Sequence, residues 1–225
     1  MKKKATSKTE INKWAKNLTG RVYQKWKNDF SLLDQGFKVF YGPVHYKPKL
    51  VIISLNPGSK GHTFDKDKTN FKKGNFALPK TTPYANNKPL AKKMQKLFDK
   101  DRSILENSVT FPLIFFRSKD EKSLKREHAY HEMAEYSYKI VTEILNKVKP
   151  KRILVIGMST HSKLKKNILN RDFVEQKIKK NAKGSRLAIK SMWNNTKIIS
   201  IPHLSGARIK TKDLKQIKKT VWKWM

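Results

Sequence analysis

Apolar residues fall in two rhythms along the chain, one of three and four residues and one of short unbroken runs. Ile11, Trp14, Leu18, Val22 and Trp26 keep the first rhythm, and Ser7 with Glu10 forms a capping box ahead of them, so a long amphipathic helix is expected over residues 7–33. Residues 49–55 keep the second: Leu50, Val51, Ile52, Ile53 and Leu55 make an apolar, β-branched run that stops at Asn56-Pro57-Gly58, the pattern of a buried strand entering a sharp turn. A helix opens at Pro89 through Leu90, Met94, Leu97 and Phe98. The apolar run 108–116 predicts a second strand, ending at Phe111 because Pro112 suits a central strand poorly.

The rhythm then returns to helix. Ser118 and Glu121 make a second capping box, read as the start of one long helix that carries Tyr130, Met133, Ile140, Ile144 and Val148 and stops at Pro150. Residues 153–156 are a third strand running into Gly157 and a helix from about Ser159; residues 197–201 are a fourth. Leu214, Ile217, Val221 and Trp224 mark a closing helix. Strands alternating with helices predict an α/β fold, a single domain with a central, mainly parallel four-stranded sheet and helices on both faces.

Two stretches fall outside this pattern. Residues 59–88 are polar and interrupted by Gly61, Gly74, Pro79 and Pro83, as in a long functional or mobile loop. Residues 163–190 are strongly basic, with Phe173, Val174, Leu187 and Ile189 suggesting a small excursion or hairpin; such a block is ordinarily a solvated face, and it is also where a phosphate backbone fits.

Charge changes the picture more than any other property. Lysine and arginine number 52 against 17 acidic residues, a net charge of +35. A surface of this sign attracts polyanions through counterion release. Lysine-favouring codon usage, a membrane surface and a solubility device compete with nucleic acid as explanations, and nucleic acid is the leading one. No apolar segment is long enough for a transmembrane helix, and no apolar stretch follows Met1-Lys2-Lys3-Lys4, so secretion is not expected and a cytoplasmic, nucleoid-associated or nuclear place is. Cysteine is absent, which excludes disulfides, thiolate metal sites and cysteine nucleophiles. His128, His131, Glu132 and Glu135 match no metal motif and read as a solvated helix face, so neither metal nor cofactor is expected.

The candidate chemistry sits where strands end. In an open parallel sheet ligands bind at the carboxyl ends of strands, and the first and last expected strands deliver Asn56 and His203 there. Taken singly, Asn56 also reads as a turn cap and His203 as a capped turn histidine.

Taken together, Leu55-Asn56-Pro57-Gly58, Pro202-His203-Leu204-Ser205-Gly206 and the strand Ile153-Leu154-Val155-Ile156 ending in Gly157 resemble, in order, the motifs of the uracil-DNA glycosylase superfamily. The resemblance runs from about residue 45 to residue 225. It implies a monofunctional DNA glycosylase that flips a base out of DNA and hydrolyses its N-glycosidic bond, with double- or single-stranded DNA as partner and a monomeric state. By resemblance Asn56 positions the attacking water and His203 donates to the base carbonyl. Pro57 and Gly58 line the base site, Ser205 and Gly206 hold a phosphate, Ala207 or Arg208 fills the gap left in the stack, and Lys60 contacts DNA. An aromatic residue after the Asn-Pro-Gly motif stacks on the base; Phe71 is nearest in spacing, with Phe64 and Phe76 next.

The chain also departs from the family. Gly58 stands where the uracil-specific branch has a tyrosine that excludes 5-methyl groups, which leaves space at C5. Thr110-Phe111-Pro112 occupies the region of the base-reading asparagine, unless Asn107 serves, and Leu204 replaces a proline. The expected substrate is therefore uracil or a C5-substituted or otherwise modified pyrimidine. The alternative is a DNA-binding protein of the same fold with weak or no catalysis, such as a sensor of damaged or modified phage DNA.

Overall fold

A computed structural model describes residues 7–58, 64–169, 173–204 and 209–224. In chain order the elements are helix α1 (Lys8–Asp29), strand β1 (Leu50–Ser54), helices α2 (Asp65–Lys72), α3 (Pro89–Leu97) and α4 (Ser103–Glu106), strand β2 (Ser108–Pro112), helices α5 (Glu121–Arg126) and α6 (Tyr130–Val148), strand β3 (Arg152–Ile156) and helix α7 (Met158–Leu164). A π-helical turn (Lys165–Leu169) extends α7, and strands β4 (Phe173–Lys180), β5 (Arg186–Trp193) and β6 (Thr196–Ile201) and helix α8 (Thr211–Trp224) complete the chain.

The fold is α/β, built on one mixed sheet of six strands in the order β2-β1-β3-β6-β5-β4. The expected mainly parallel sheet of four strands is thus corrected to a mixed sheet of six. Strands β2, β1, β3 and β6 are mutually parallel, and β5 and β4 are added antiparallel to β6 and to each other. The two strands outside that count are β4 and β5, the hairpin that Phe173, Val174, Leu187 and Ile189 suggested; in β4 every residue from Val174 to Lys180 is exposed. With neither face buried, that strand carries no apolar alternation for a sequence to display.

Alternation within the parallel strands builds a core on each side. Val51, Ile53, Phe111, Ile153, Val155 and Ile198 point into one cluster with the apolar stripes of α1 and α6. Leu50, Ile52, Leu154, Ile156, Ile199 and Ile201 point into the other, with α3 and α8. Burial on both faces explains the near-continuous apolar runs of β1 and β3.

Local signals hold at several ends and fail at one. Ser7 caps α1 in a capping box with Glu10, a device that contributes about 1 kcal/mol. Pro112 is the last residue of β2 and pairs with Ser54; β2 lies at the sheet edge, where a missing N–H is tolerated. The box expected at Ser118 and Glu121 does not form. Asp120 is the cap instead, accepting from Ser123 N, and the helix it starts ends at Arg126, four residues before α6 begins. Among the described residues no helix is long and apolar enough to cross a membrane.

Candidate active site

Because β1, β3 and β6 run parallel, their carboxyl ends lie on one edge, with β3 between the other two. Asn56 leaves β1, Gly157 leaves β3 and His203 leaves β6 on that edge. Two strand spacings of about 4.8 Å put the outer pair about 10 Å apart across the middle strand. Gly157 has φ +104°, and its N–H donates to Ile201 O at 2.8 Å. A side chain there would strain the backbone and bring a Cβ to 3.0 Å from Thr160 Oγ1. The glycine therefore turns the chain into α7, and it lines the space between Asn56 and His203.

That space is a cavity of about 790 Å³, and Asn56, Gly58 and His203 all line it. Leu55, Ile156, Leu90, Ala91 and Pro83 give it apolar walls. Polar groups line the rest: Tyr41, Tyr84, Ser54, Thr110, Ser118, Ser159, Thr160, Asn86 and the Asn56 amide, with the charged side chains of Lys88, Lys119, Asp120 and Glu121 among them.

The Asn56 amide is held in one orientation. Its Nδ2 donates to Pro57 O at 3.1 Å and to Ser118 Oγ at 3.0 Å. Ser118 Oγ in turn donates its own proton to Asp120 O at 2.6 Å, so toward Asn56 it acts as acceptor. A flipped amide would set Oδ1 against two acceptors and lose both bonds. No other hydrogen bond engages Asn56 among the described residues, which leaves Oδ1 as its accepting group.

The turn carrying Asn56 is itself fixed by residues just past β2. Ser118 N donates to Pro57 O at 3.2 Å, and Arg117 Nη1 donates to Gly58 O at 3.1 Å. Burial lowers the Arg117 pKa, partly offset by Tyr41 and Asp67. Arg117 and Ser118 hold the Asn56 turn, a placement that the sequence did not show, Ser118 reading there as a helix cap. Their signal is position: polar residues shortly after the carboxyl end of the strand that pairs with β1.

His203 is accessible to solvent at the cavity rim, yet the protein crowding around the ring still disfavours its charged form and lowers its pKa. The imidazole is accordingly neutral at pH 7. The segment that carries it is tied to α3, where Lys93 Nζ donates to Leu204 O at 2.5 Å. Burial, the larger cause in each case, pushes the phenols of Tyr41 and Tyr84 well above their ordinary pKa, so both remain protonated donors.

The aromatic assignment needs correction. Phe71 does not line the cavity. It is buried against Tyr23, Phe37, Phe64 and Phe76, nearly parallel to Phe37 at a ring separation of 5.5 Å and an interplanar angle of 21°. Its helix, α2, was hidden in what read as a loop. Of the four aromatics in residues 59–88, Tyr84 is the one in the cavity wall, and Gln95 Nε2 holds it in place by donating to Tyr84 O at 2.7 Å. On β2 it is Thr110 that reaches the cavity; Asn107 instead donates to Ser103 O at 2.9 Å as the cap of α4. Pro57 forms the turn, while Lys60, Ser205, Gly206, Ala207 and Arg208 lie outside the described residues.

Comparison with protein-family models and with curated proteins finds no match for the chain.

Proposed function

We propose that the chain is a DNA glycosylase that hydrolyses the N-glycosidic bond of uracil or of a C5-substituted or otherwise modified pyrimidine. The single observation that carries the reading is the Asn56 amide, whose nitrogen is held by Pro57 and Ser118 and whose oxygen accepts no hydrogen bond among the described residues, in one cavity with a neutral His203. A net charge of +35 supplies the attraction for the phosphate backbone.

In this mechanism a nucleotide leaves the base stack and its ring enters the cavity beside Tyr84 and Tyr41. The bond from C1′ to the base nitrogen breaks, its electron pair passes to the base, and positive charge develops on the sugar. His203 donates a hydrogen bond to the base carbonyl where negative charge gathers, and stabilising that charge lowers the barrier. Asn56 Oδ1 accepts a hydrogen bond from a water and aims its oxygen at C1′, where the new C–O bond forms. The water's proton then passes to solvent or to the departing base. An amide does not ionise as a base, so Asn56 contributes by orientation and catalysis leans on charge stabilisation. Modest turnover follows.

Gly58 sets the breadth of substrate. It lines the cavity, and a Cβ built on it meets none of the described residues within 4 Å. That volume is where a substituent on C5 of the ring fits.

The test is to incubate the protein with duplexes containing uracil, thymine mispairs or modified cytosines and then treat them with alkali. Strand breaks at the target base are expected, and Asn56→Ala is expected to abolish them while sparing DNA binding. Tight binding without breaks on any substrate would leave a DNA-binding protein of this fold in place of an enzyme.

A further inference from the structure

The antiparallel hairpin of β4 and β5 has no part in the chemistry above, and three features of it call for an explanation. The first is position. β5 pairs with β6 from Trp193 opposite Thr196 to Ile189 opposite Ser200, and then continues to Arg186. Beyond its last pair with β6 the strand runs three more residues to Arg186, about 10 Å at about 3.4 Å per residue, toward the edge on which His203 leaves β6. The hairpin tip, residues 181–185, projects further in the same direction. The tip therefore stands on the edge of the sheet where the cavity opens, one to two strand spacings to the side of His203.

The second feature is charge that the fold does not neutralise. Lys177 lies directly opposite Lys190 and Lys180 directly opposite Arg186. Like charges facing each other across a strand pair destabilise the pair. Lys190 carries the mark of this: burial first, then Lys177 and Lys223, lower its pKa. Glu175, the acidic residue of the hairpin, is already engaged by Lys165 at 2.9 Å and by His161 at 3.2 Å.

The third is order. The Asn181 carboxamide oxygen accepts from Lys183 N and Ser185 N, both at 3.0 Å, and its nitrogen donates to Asp213 of α8 at 3.2 Å. Gly184, at φ +76°, closes the turn. A hairpin with opposed cations and a braced tip is a preformed basic ribbon.

We infer that the β4–β5 hairpin is a second DNA-contacting element, which grips the backbone of a duplex flanking the cavity through Lys177, Lys179, Lys180, Lys183 and Arg186. A two-stranded ribbon fits a major groove, and cations along its edges neutralise phosphates on either side. The inference rests on the proposed action on DNA, and it explains why the chain accepts opposed cations: phosphates relieve a repulsion that the free protein bears.

The experiment compares K179Q/K180Q/R186Q with the parent and with K147Q/K149Q/K151Q, which removes three charges at the opposite end of the sheet. A fluorescein-labelled duplex of ordinary sequence is titrated at several salt concentrations. If each hairpin cation neutralises one phosphate, the plot of log affinity against log salt becomes shallower by about 2.7 for the hairpin variant, so that between 50 and 200 mM salt it loses about forty-fold less affinity than the parent. The control variant is expected to keep the parent's slope. The thermal midpoint of the hairpin variant is expected to equal or exceed the parent's, because a like-charge contact is removed. A hairpin variant that matches the parent in affinity and slope, or a control that falls as far, overturns the inference and leaves the proposed activity standing. A parent that binds no duplex overturns both.

Discussion

Asn56 and Ser118 are 62 residues apart in the chain and are joined by a 3.0 Å hydrogen bond that fixes which end of the amide faces the cavity. The relationship makes Ser118 a positioning residue. In Ser118→Ala the amide keeps its bond to Pro57 O but loses the acceptor that makes its orientation unique. A small misplacement of an aiming group is enough to cost up to about 10²-fold in rate. Single-turnover excision by Ser118→Ala is expected to fall by about tenfold to a hundredfold, with duplex affinity unchanged. Loss of both together would mean that Ser118 serves only to hold the fold.

Tyr84 and Phe71 give opposite expectations, although both lie in the stretch that read as a loop. Truncating Phe71 empties part of a closed aromatic cluster, and Phe71→Ala is expected to lower stability by about 3–5 kcal/mol in denaturant titration. Tyr84→Ala opens onto the cavity and removes a stacking surface worth about 1–3 kcal/mol to a bound base. Its effect is expected mainly in affinity for single strands carrying the target base. If Phe71→Ala weakens base binding and Tyr84→Ala does not, the reassignment of the stacking role is wrong.

What the sequence makes legible follows from what is buried. The strands β1, β3 and β6 are covered on both faces, so their apolar runs stand out and correctly deliver Asn56, Gly157 and His203 to one edge. The capping box at Ser7 is equally plain, since the two partners are three residues apart. Ser118 misleads because the same residue pattern serves two ends: its hydroxyl works on Asn56, and the capping passes to Asp120. Phe71 misleads because spacing along the chain says nothing of where a side chain goes once the polar stretch forms a helix of its own. The ribbon is legible as a hairpin but not as part of the sheet, for Val174 and Ile178 on β4 are exposed at 58% and 39% and mark no core.

Gly58 is expected to govern the size of base accepted. Its carbonyl is held by Arg117 and a Cβ on it would meet none of the described residues within 4 Å, so Gly58→Ala should change stability by no more than about 0.5 kcal/mol. Gly58→Tyr is expected to retain excision of uracil and to lose excision of C5-substituted pyrimidines. A panel of substituted duplexes reads the result, and a Tyr variant that keeps its full range would place the C5 position elsewhere in the cavity.

Acid should loosen the joint between α7 and the ribbon. His161 is buried there, its Nδ1 2.8 Å from Ser200 Oγ and its Nε2 3.2 Å from Glu175 Oε1, beneath the ring of Phe173 at 5.6 Å. Burial is the largest influence on its pKa and lowers it, and Glu175 opposes that only in part. The folded protein therefore binds this proton less readily than the unfolded chain, whose histidine titrates near 6.5. Where the unfolded state holds more protons, stability rises with pH. The contribution of His161 is thus complete above about pH 6.5 and declines as pH falls toward the lower folded value. His45 and His203 shift in the same direction through burial and add to the slope. Glu175 works the other way in origin but to the same end: Lys165 first, and then His161, hold its pKa down, so its contribution is lost on further acidification. Denaturant midpoints measured between neutral pH and pH 5 are expected to fall, and the fall is expected to be smaller in His161→Gln. An equal fall in that variant would move the acid sensitivity to the other histidines.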